Sequence, residues 1–465
     1  MPKPTDPGRF VTAVIPGSAL AGKLLAMDTL EYGPDGKRSC PSRSLLMEYR
    51  HVQVALKQWQ LWSLSILVAL MPLSFSTDQH IKVLPTALLF LVGLVLLAGD
   101  PRTRRSYRTA WPAVVAALLM VGFVLFNVLA HRLGWRPVDR PAHILLFLAI
   151  AAAFSQPLRM RLIWAGFSST AIVLGAVCVV QHHLFDIDRA YGLNGGASAS
   201  IQLATILLGL SLTALMQFLN PRTGMVEKAL HALAMGFGMY GALLTQSRGP
   251  LLAFAPAFML LVLLHAWRTG HWRSSLLLAI GVSLVAGMIT FGMRGEMMTR
   301  FEAIAPEVTT FDHHDGNVGS VRERLEMWRT AGRAFVAHPF LGIGINQFDD
   351  YVHAEIAAGR SNPVIGRYNQ PHNEYLEAAA TGGVPGLLVL LLVFALPLRY
   401  FSRHLLDPDE TVALPASVGV ALIVLYVLCA LTDSVFYRVM TQSFYFFMVL
   451  GMAVRIGWLR LSLPD

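Results

Sequence analysis

The chain has 465 residues, of which 55% are hydrophobic and 14% charged, with a mean hydropathy of +0.54. An ordinary soluble domain carries about a quarter charged residues, so this composition excludes one and points to a membrane protein. The net charge of +9 lies largely in short loops between apolar runs, which is the positive-inside bias rather than a nucleic-acid footprint.

Only helices and closed barrels satisfy their backbone in lipid, and the apolar runs here are continuous rather than alternating. The expected fold class is therefore an all-α polytopic membrane protein. Residues 1–57 mix Pro, Gly and charge, as in "EYGPDGKRSCPSRS", and hold no run of the roughly 20 apolar residues that a span needs. A cytosolic, partly disordered extension is expected there, with Met47 an alternative start. The stretch 10–27 is broken by Pro16, Gly17, Gly22 and Lys23 and lacks the pattern of a signal peptide. Cys40, Cys178 and Cys429 lie far apart without ligand spacing, so neither a metal site nor a disulfide framework is expected.

Apolar runs then follow at about 60–75, 83–98, 109–130, 141–156, 163–181, 198–218, 229–246, 250–267, 275–292, 384–400, 412–431 and 441–457. Twelve transmembrane helices are expected, nine within 58–292 and three within 384–465. If the first runs outward, fourteen Lys and Arg fall in the inner connections and tail and seven in the short outer ones, which puts both termini in the cytosol. The outer loop "HRLGWRPVDR" dissents from that count.

The connection 293–383 is different: some ninety polar residues that parity places outside. Connections of this length are usually functional. Within it, Val321, Leu325, Trp328, Ala331 and Phe335 recur at helical spacing and predict a helix. "HPFLGIGINQF" reads as a Pro/Gly turn, and "NEYLEAAAT" as a short helix stopped by Gly382 and Gly383. "FDHHDGN" holds metal-ligating residue types but reads more simply as an exposed tip.

The outer face collects His372 in "PHNEYLEAAATGGVPG", Arg189 in "FDIDRAYGLNGG" and Arg248 in "LLTQSRGP". Arg248 stands between two apolar runs, where a cation is paired or lines a polar cavity, and its guanidinium can grip a phosphate in a bidentate fork. The bland alternatives are a helix cap or snorkelling for Arg248, and a local salt bridge to Asp186 or Asp188 for Arg189. His372 is suited to act as a general base toward a hydroxyl, or is a helix-start histidine held by backbone. Glu374 and Glu377 lie on its local turn and either orient it or are solvated.

In this order and context, "RAYGLNG", "LLTQSRGP", "RERLEMWRTAGRAFVAHPFLGIGINQF", "PHNEYLEAAATGGVPGLLVLLL" and "LTDSVFYR" resemble the bacterial O-antigen ligases and their relatives, the O-antigen polymerases and O-linked protein oligosaccharyltransferases. The resemblance covers most of the chain after residue 57. It implies a GT-C-like membrane glycosyltransferase in the inner membrane that works by inverting, metal-independent transfer on the periplasmic face, without a cofactor. The donor would be a glycan on undecaprenyl pyrophosphate and the acceptor a sugar hydroxyl of lipid A-core, both borne by membrane lipid. Arg189 and Arg248 would bind the pyrophosphate and His372 would activate the hydroxyl, with Asn373, Glu374, Glu377 and Asp433 in support. The chain has "LNGGASAS" where relatives often carry an Asn-Pro-Asn type string, and Asp433 where they often have Glu. The short tail "RIGWLRLSLPD" weighs against the protein-glycosylating branch, and the single large late loop favours ligase over polymerase. A transporter is the alternative from another class, disfavoured because no internal repeat is visible and the notable charges gather at one face.

Overall fold

Every regular element is an α-helix or a short 3-10 turn, with no strand among the described residues. The computed structural model describes residues 56–77, 79–193, 199–273, 276, 280, 281 and 320–462. The extension over 1–57 and the run at 275–292 lie almost wholly outside these, and the "FDHHDGN" tip wholly so. The helices are α1 (Gln58–Phe75), α2 (Gln79–Gly99), α3 (Pro101–Thr109), α4 (Trp111–Ala130), α5 (Asp139–Ile150), α6 (Met160–His183), α7 (Ser200–Leu219), α8 (Met225–Leu244), α9 (Arg248–Thr269), α10 (Ser320–Ala337), α11 (Phe348–Ala357), α12 (Glu374–Ser402), α13 (Glu410–Cys429) and α14 (Val439–Ser462).

The chain is a polytopic helical membrane protein. Eight helices among the described residues are long and apolar enough to cross a membrane, or nine if the pair Val83–Gly99 and Pro101–Thr109, bent by 98°, counts as one span. Twelve such runs were expected from hydropathy. The helices at the first and seventh, α1 and α8, form in place but are not among the eight, because Gln58, Trp59 and Gln60 dilute one and Glu227 and Lys228 the other. The bend after α2 is capped locally: Asp100 accepts from the Arg102 amide, Pro101 takes the first helical position, and Arg104 donates to the α2 carbonyls of Leu97 and Ala98 at 2.9 and 2.7 Å.

At the centre stand α7, α13 and α14. In α7, 89% of the most apolar window is buried by the protein, against 39% in α4, which presents the rest of its surface outward. An all-round apolar helix such as α7 belongs in the middle of a bundle. Three of its hydroxyls are satisfied within the helix, because Thr205, Ser211 and Thr213 each donate to the carbonyl four residues back. α8 packs on α6 and α7 through small residues: a methyl at Gly241 would come within 2.8 Å of the Gly175 Cα.

Cross-links between helix ends sort the loops into two faces. On one, Arg189 meets the end of α8, Gln442 donates to the Arg140 carbonyl, and Asn127 in α4 meets residues 341–345. On the other, Arg455 donates to the Gln156 carbonyl, Arg268 pairs with Glu410, and Arg460 with Asp407. The first face is called the His372 face below.

The expected short helix from Asn373 does not end at Gly382 and Gly383 but bends there and continues as the span α12. Gly383 has φ 63° and ψ −157°. Pro385 has no amide to give the Thr381 carbonyl, and the Val384 amide goes to the Pro339 carbonyl at 2.7 Å, leaving the Ala380 carbonyl open. These two carbonyls accept instead from the amides of Gly344 and Ile343, at 3.0 and 2.9 Å. A side chain at Gly383 would meet the Pro339 carbonyl at 2.5 Å, so the break is built for glycine. The segment before α12 is thus stitched to the membrane helix by backbone bonds. It forms its own small apolar cluster, centred on Met327, Ala331, Phe348, Val352 and Ile365. The helix predicted around Val321–Phe335 is α10. The following α11 was not foreseen.

Candidate active site

His372 stands two residues before α12 in a left-handed backbone conformation, φ 51°, which is uncommon for a residue with a side chain. Its neighbours hold it there. Asn373 is the N-cap, accepting from the Leu376 amide at 3.1 Å, and Trp328 of α10 donates its indole N–H to the Pro371 carbonyl at 3.0 Å.

The same residues clamp the turn between α13 and α14. Asn373 Nδ2 donates to the Leu431 carbonyl at 3.1 Å, the Glu374 amide to the Ala430 carbonyl at 2.9 Å, and the Tyr375 hydroxyl to the Val427 carbonyl at 2.9 Å. The Glu374 carboxylate, buried, accepts from the Phe436 amide at 2.9 Å. The clamp delivers Asp433 to His372, with Oδ1 3.0 Å from Nδ1. An ionised carboxylate only accepts, so Nδ1 carries the hydrogen of this contact, and in the neutral tautomer the lone pair falls to Nε2. The His372 side chain retains 20% of its exposure and Asp433 8%, leaving the ring reachable while its anchor is covered.

Above the ring sits Tyr368, edge-on with centroids 5.7 Å apart. Its hydroxyl donates to Glu323 of α10, which also pairs with Arg367 at 2.5 Å. Burial, and then the Glu323 carboxylate, push the Tyr368 phenol above its ordinary range and keep it a donor.

Arg189 and Arg248 share one corner. Gln181 at the end of α6 grips the turn after Arg189, accepting from the amides of Tyr191 and Gly192 at 3.0 Å each and donating to the Gly192 carbonyl at 2.7 Å. Arg189 Nε donates to the Thr245 carbonyl at 3.2 Å, the Ala190 amide to the Leu244 carbonyl at 3.1 Å, and Gln246 to the Asp188 carbonyl at 2.8 Å. Arg248 begins α9 just beyond that segment. The next residue, Gly249, lies so close to the turn after α13 that a methyl on it would fall 2.1 Å from Thr432 Oγ1, and Thr432 precedes Asp433. One continuous path of contacts therefore runs from Arg189 through Thr245, Ser247–Gly249 and Thr432 to Asp433 and His372.

Glu374 and Glu377 do not lie in solvent beside the ring. Both are buried and line a cavity of about 80 Å³ with Arg140, Asn346 and Gln442. Glu377 Oε2 has no hydrogen-bond partner among the described residues. Arg140 stacks over Tyr437 at 3.9 Å and donates to Asn346 at 3.4 Å. It belongs to "HRLGWRPVDR", the loop that dissented from the charge count, and a structural post on this face is a physical reason for that dissent. No group of three or more His, Cys, Asp or Glu with metal-binding geometry occurs among the described residues. Sequence reasoning passed over Arg140, Trp328 and Tyr368; only the misplaced charge of Arg140 left a visible signal.

A larger cavity of about 470 Å³ opens on the same face, walled by Phe75, Phe90, Phe147 and Met440, with Arg438 and His143 at its polar edge.

Comparison with known proteins fits this arrangement. The sequence model of the O-antigen ligase family matches residues 232–391, from α8 into α12, a span that includes Arg248 and His372. The chain is 24% identical over 333 residues to an O-antigen ligase of Pseudomonas aeruginosa, covering 69% of this chain and 72% of that protein. It is 21% identical over 287 residues to an uncharacterized protein of Haemophilus influenzae, covering 60% and 70%. A polytopic helical bundle, a histidine and arginines gathered on one face, and these matches agree, and residues 232–391 are similar to the O-antigen ligase family.

Proposed function

We propose that this chain transfers a polysaccharide from undecaprenyl pyrophosphate to a sugar hydroxyl of lipid A-core, in the inner membrane with the His372 face toward the periplasm and both termini in the cytosol. The observation that carries the reading is the His372–Asp433 pair at 3.0 Å, joined by contacts to the corner that bears Arg189 and Arg248.

In this mechanism the acceptor hydroxyl oxygen attacks the anomeric carbon from the side opposite the pyrophosphate. The bond from that carbon to the phosphate oxygen breaks, the configuration inverts, and undecaprenyl pyrophosphate leaves. The hydroxyl proton passes to His372 Nε2, and Asp433 steadies the imidazolium that forms. The guanidiniums of Arg189 and Arg248 stabilise the charge that grows on the leaving group. Pyrophosphate leaves readily, so one base with correct orientation suffices. The apolar cavity of about 470 Å³ supports a lipid-borne substrate, since it offers room for part of a hydrocarbon chain beside the guanidinium of Arg438.

The test is complementation of a Gram-negative strain lacking its O-antigen ligase, with the lipopolysaccharide ladder as readout. Wild type restores the ladder, and His372→Ala and Arg248→Ala at equal abundance do not. A wild-type chain that gives no ladder but lengthens the donor in a polymerase-deficient strain would overturn the ligase assignment in favour of polymerisation.

A further inference from the structure

On the face opposite His372, a cavity of about 330 Å³ lies between the start of α6, the α7–α8 turn, the start of α13 and the end of α14. Among the described residues three guanidiniums line it, Arg161, Arg222 and Arg455, against a single carboxylate, Glu227. Gln217 also lines it; the residue is 4% exposed, and Nε2 has no hydrogen-bond partner among the described residues. Trp164 forms part of the wall.

The donor inventory of this cavity is lopsided. Guanidiniums only donate, and a carboxamide nitrogen only donates. Arg455 places Nη1 on the Gln156 carbonyl at 2.8 Å and lies over Trp458 at 4.5 Å, which fixes the guanidinium at the inner end. Arg161 and Arg222 are exposed at the rim, where Arg161 Nη2 reaches the Arg222 carbonyl at 3.5 Å. A buried donor without an acceptor is destabilising, and three cations gathered within one cavity repel one another. A ligand rich in acceptors and negative in charge relieves both, and a tetrahedral phosphate matches the guanidinium forks. Basic pockets between transmembrane helices are suited to anionic headgroups, with aromatic and aliphatic walls beside the charge.

We propose that this cavity binds a phosphate-bearing anion, either the headgroup of an anionic phospholipid or free phosphate, at a site separate from the His372 face. The proposal stands apart from the transferase reading and does not depend on it.

The purified full-length protein in detergent is titrated with phosphatidylglycerol, with zwitterionic phosphatidylcholine, and with inorganic phosphate. Thermal midpoint and lipid retained after gel filtration, counted by mass spectrometry, are the readouts. Phosphatidylglycerol raises the midpoint by roughly 3 °C at saturation. The double variant Arg161→Gln/Arg222→Gln, at exposed positions, weakens half-saturation about tenfold, and Gln217→Leu weakens it in the same direction. Phosphate alone giving the same variant-dependent shift also upholds the site and assigns the soluble source. No shift with either anion, or equal shifts from both lipids that the variants leave unchanged, overturns it.

Discussion

Replacing Asp433 by Asn isolates what the His372–Asp433 contact contributes. The substitution keeps size and the turn clamped by residues 373–375, but it removes the negative charge 3.0 Å from Nδ1 at a carboxylate only 8% exposed. A hydrogen bond to a charged group contributes about 1.5–3 kcal/mol net. If that stabilisation is realised as the imidazolium forms, its loss slows transfer roughly ten- to 150-fold at ~1.4 kcal/mol per decade. The assay is glycan transfer by purified protein in lipid with donor and acceptor supplied, at matched protein amounts. The loss is expected in kcat, with the acceptor KM little changed, because Asp433 acts through the ring. In a His372→Ala background the same substitution adds little, since the two groups act as a unit. An Asp433→Asn enzyme at the wild-type rate, or one that is additive with His372→Ala, would refute the reasoning.

Two more expectations follow from local geometry. Gly249→Ala puts a methyl 2.1 Å from Thr432 Oγ1 and should push the Asp433 turn away from α9, costing about 1–3 kcal/mol and most of the transfer activity; Thr432→Ala removes that oxygen and should restore part of it, as read by thermal unfolding and the ladder together. Glu355, which joins α11 to α10, accepts from Arg360 at 2.5 Å and Arg333 at 2.9 Å, and the Arg360 bond, above all, holds its carboxyl below the ordinary range. Because the folded value is the lower one, this contribution is fully present above the unfolded value of about 4.3 and is lost as pH falls through the folded value. Hydrogen exchange of the α10 and α11 amides should show Glu355→Gln less protected than wild type at neutral pH, with the difference vanishing in acid; equal protection at neutral pH would contradict it.

Much of this protein is legible in its sequence, because lipid removes alternatives. A backbone in hydrocarbon must bond to itself, so long apolar runs could only become helices, and the loops bearing Arg189, Arg248 and His372 were readable as one face from parity alone. The helix of residues 320–337 was equally visible, since its apolar spacing is local information. Sequence by itself also marked a break at Gly382 and Gly383, but read it as the end of a short helix; that α12 bends there and continues was decided by the Gly344 and Ile343 amides that take up the open carbonyls.

Only the tertiary structure decided the partners. Nothing local links Asp433 to His372, 61 positions away, or Thr432 to Gly249; those contacts exist because residues 373–375 satisfy carbonyls at 427–431 and because a glycine at 249 leaves room for them. The same holds for Glu374 and Glu377, whose spacing fits solvated helix-start acids equally well. Burial turned one toward the Phe436 amide and the other into a cavity with Arg140. Charge in a sequence reports where a residue can be tolerated in lipid, whereas its partner is set by how the helices pack, a property of the whole bundle.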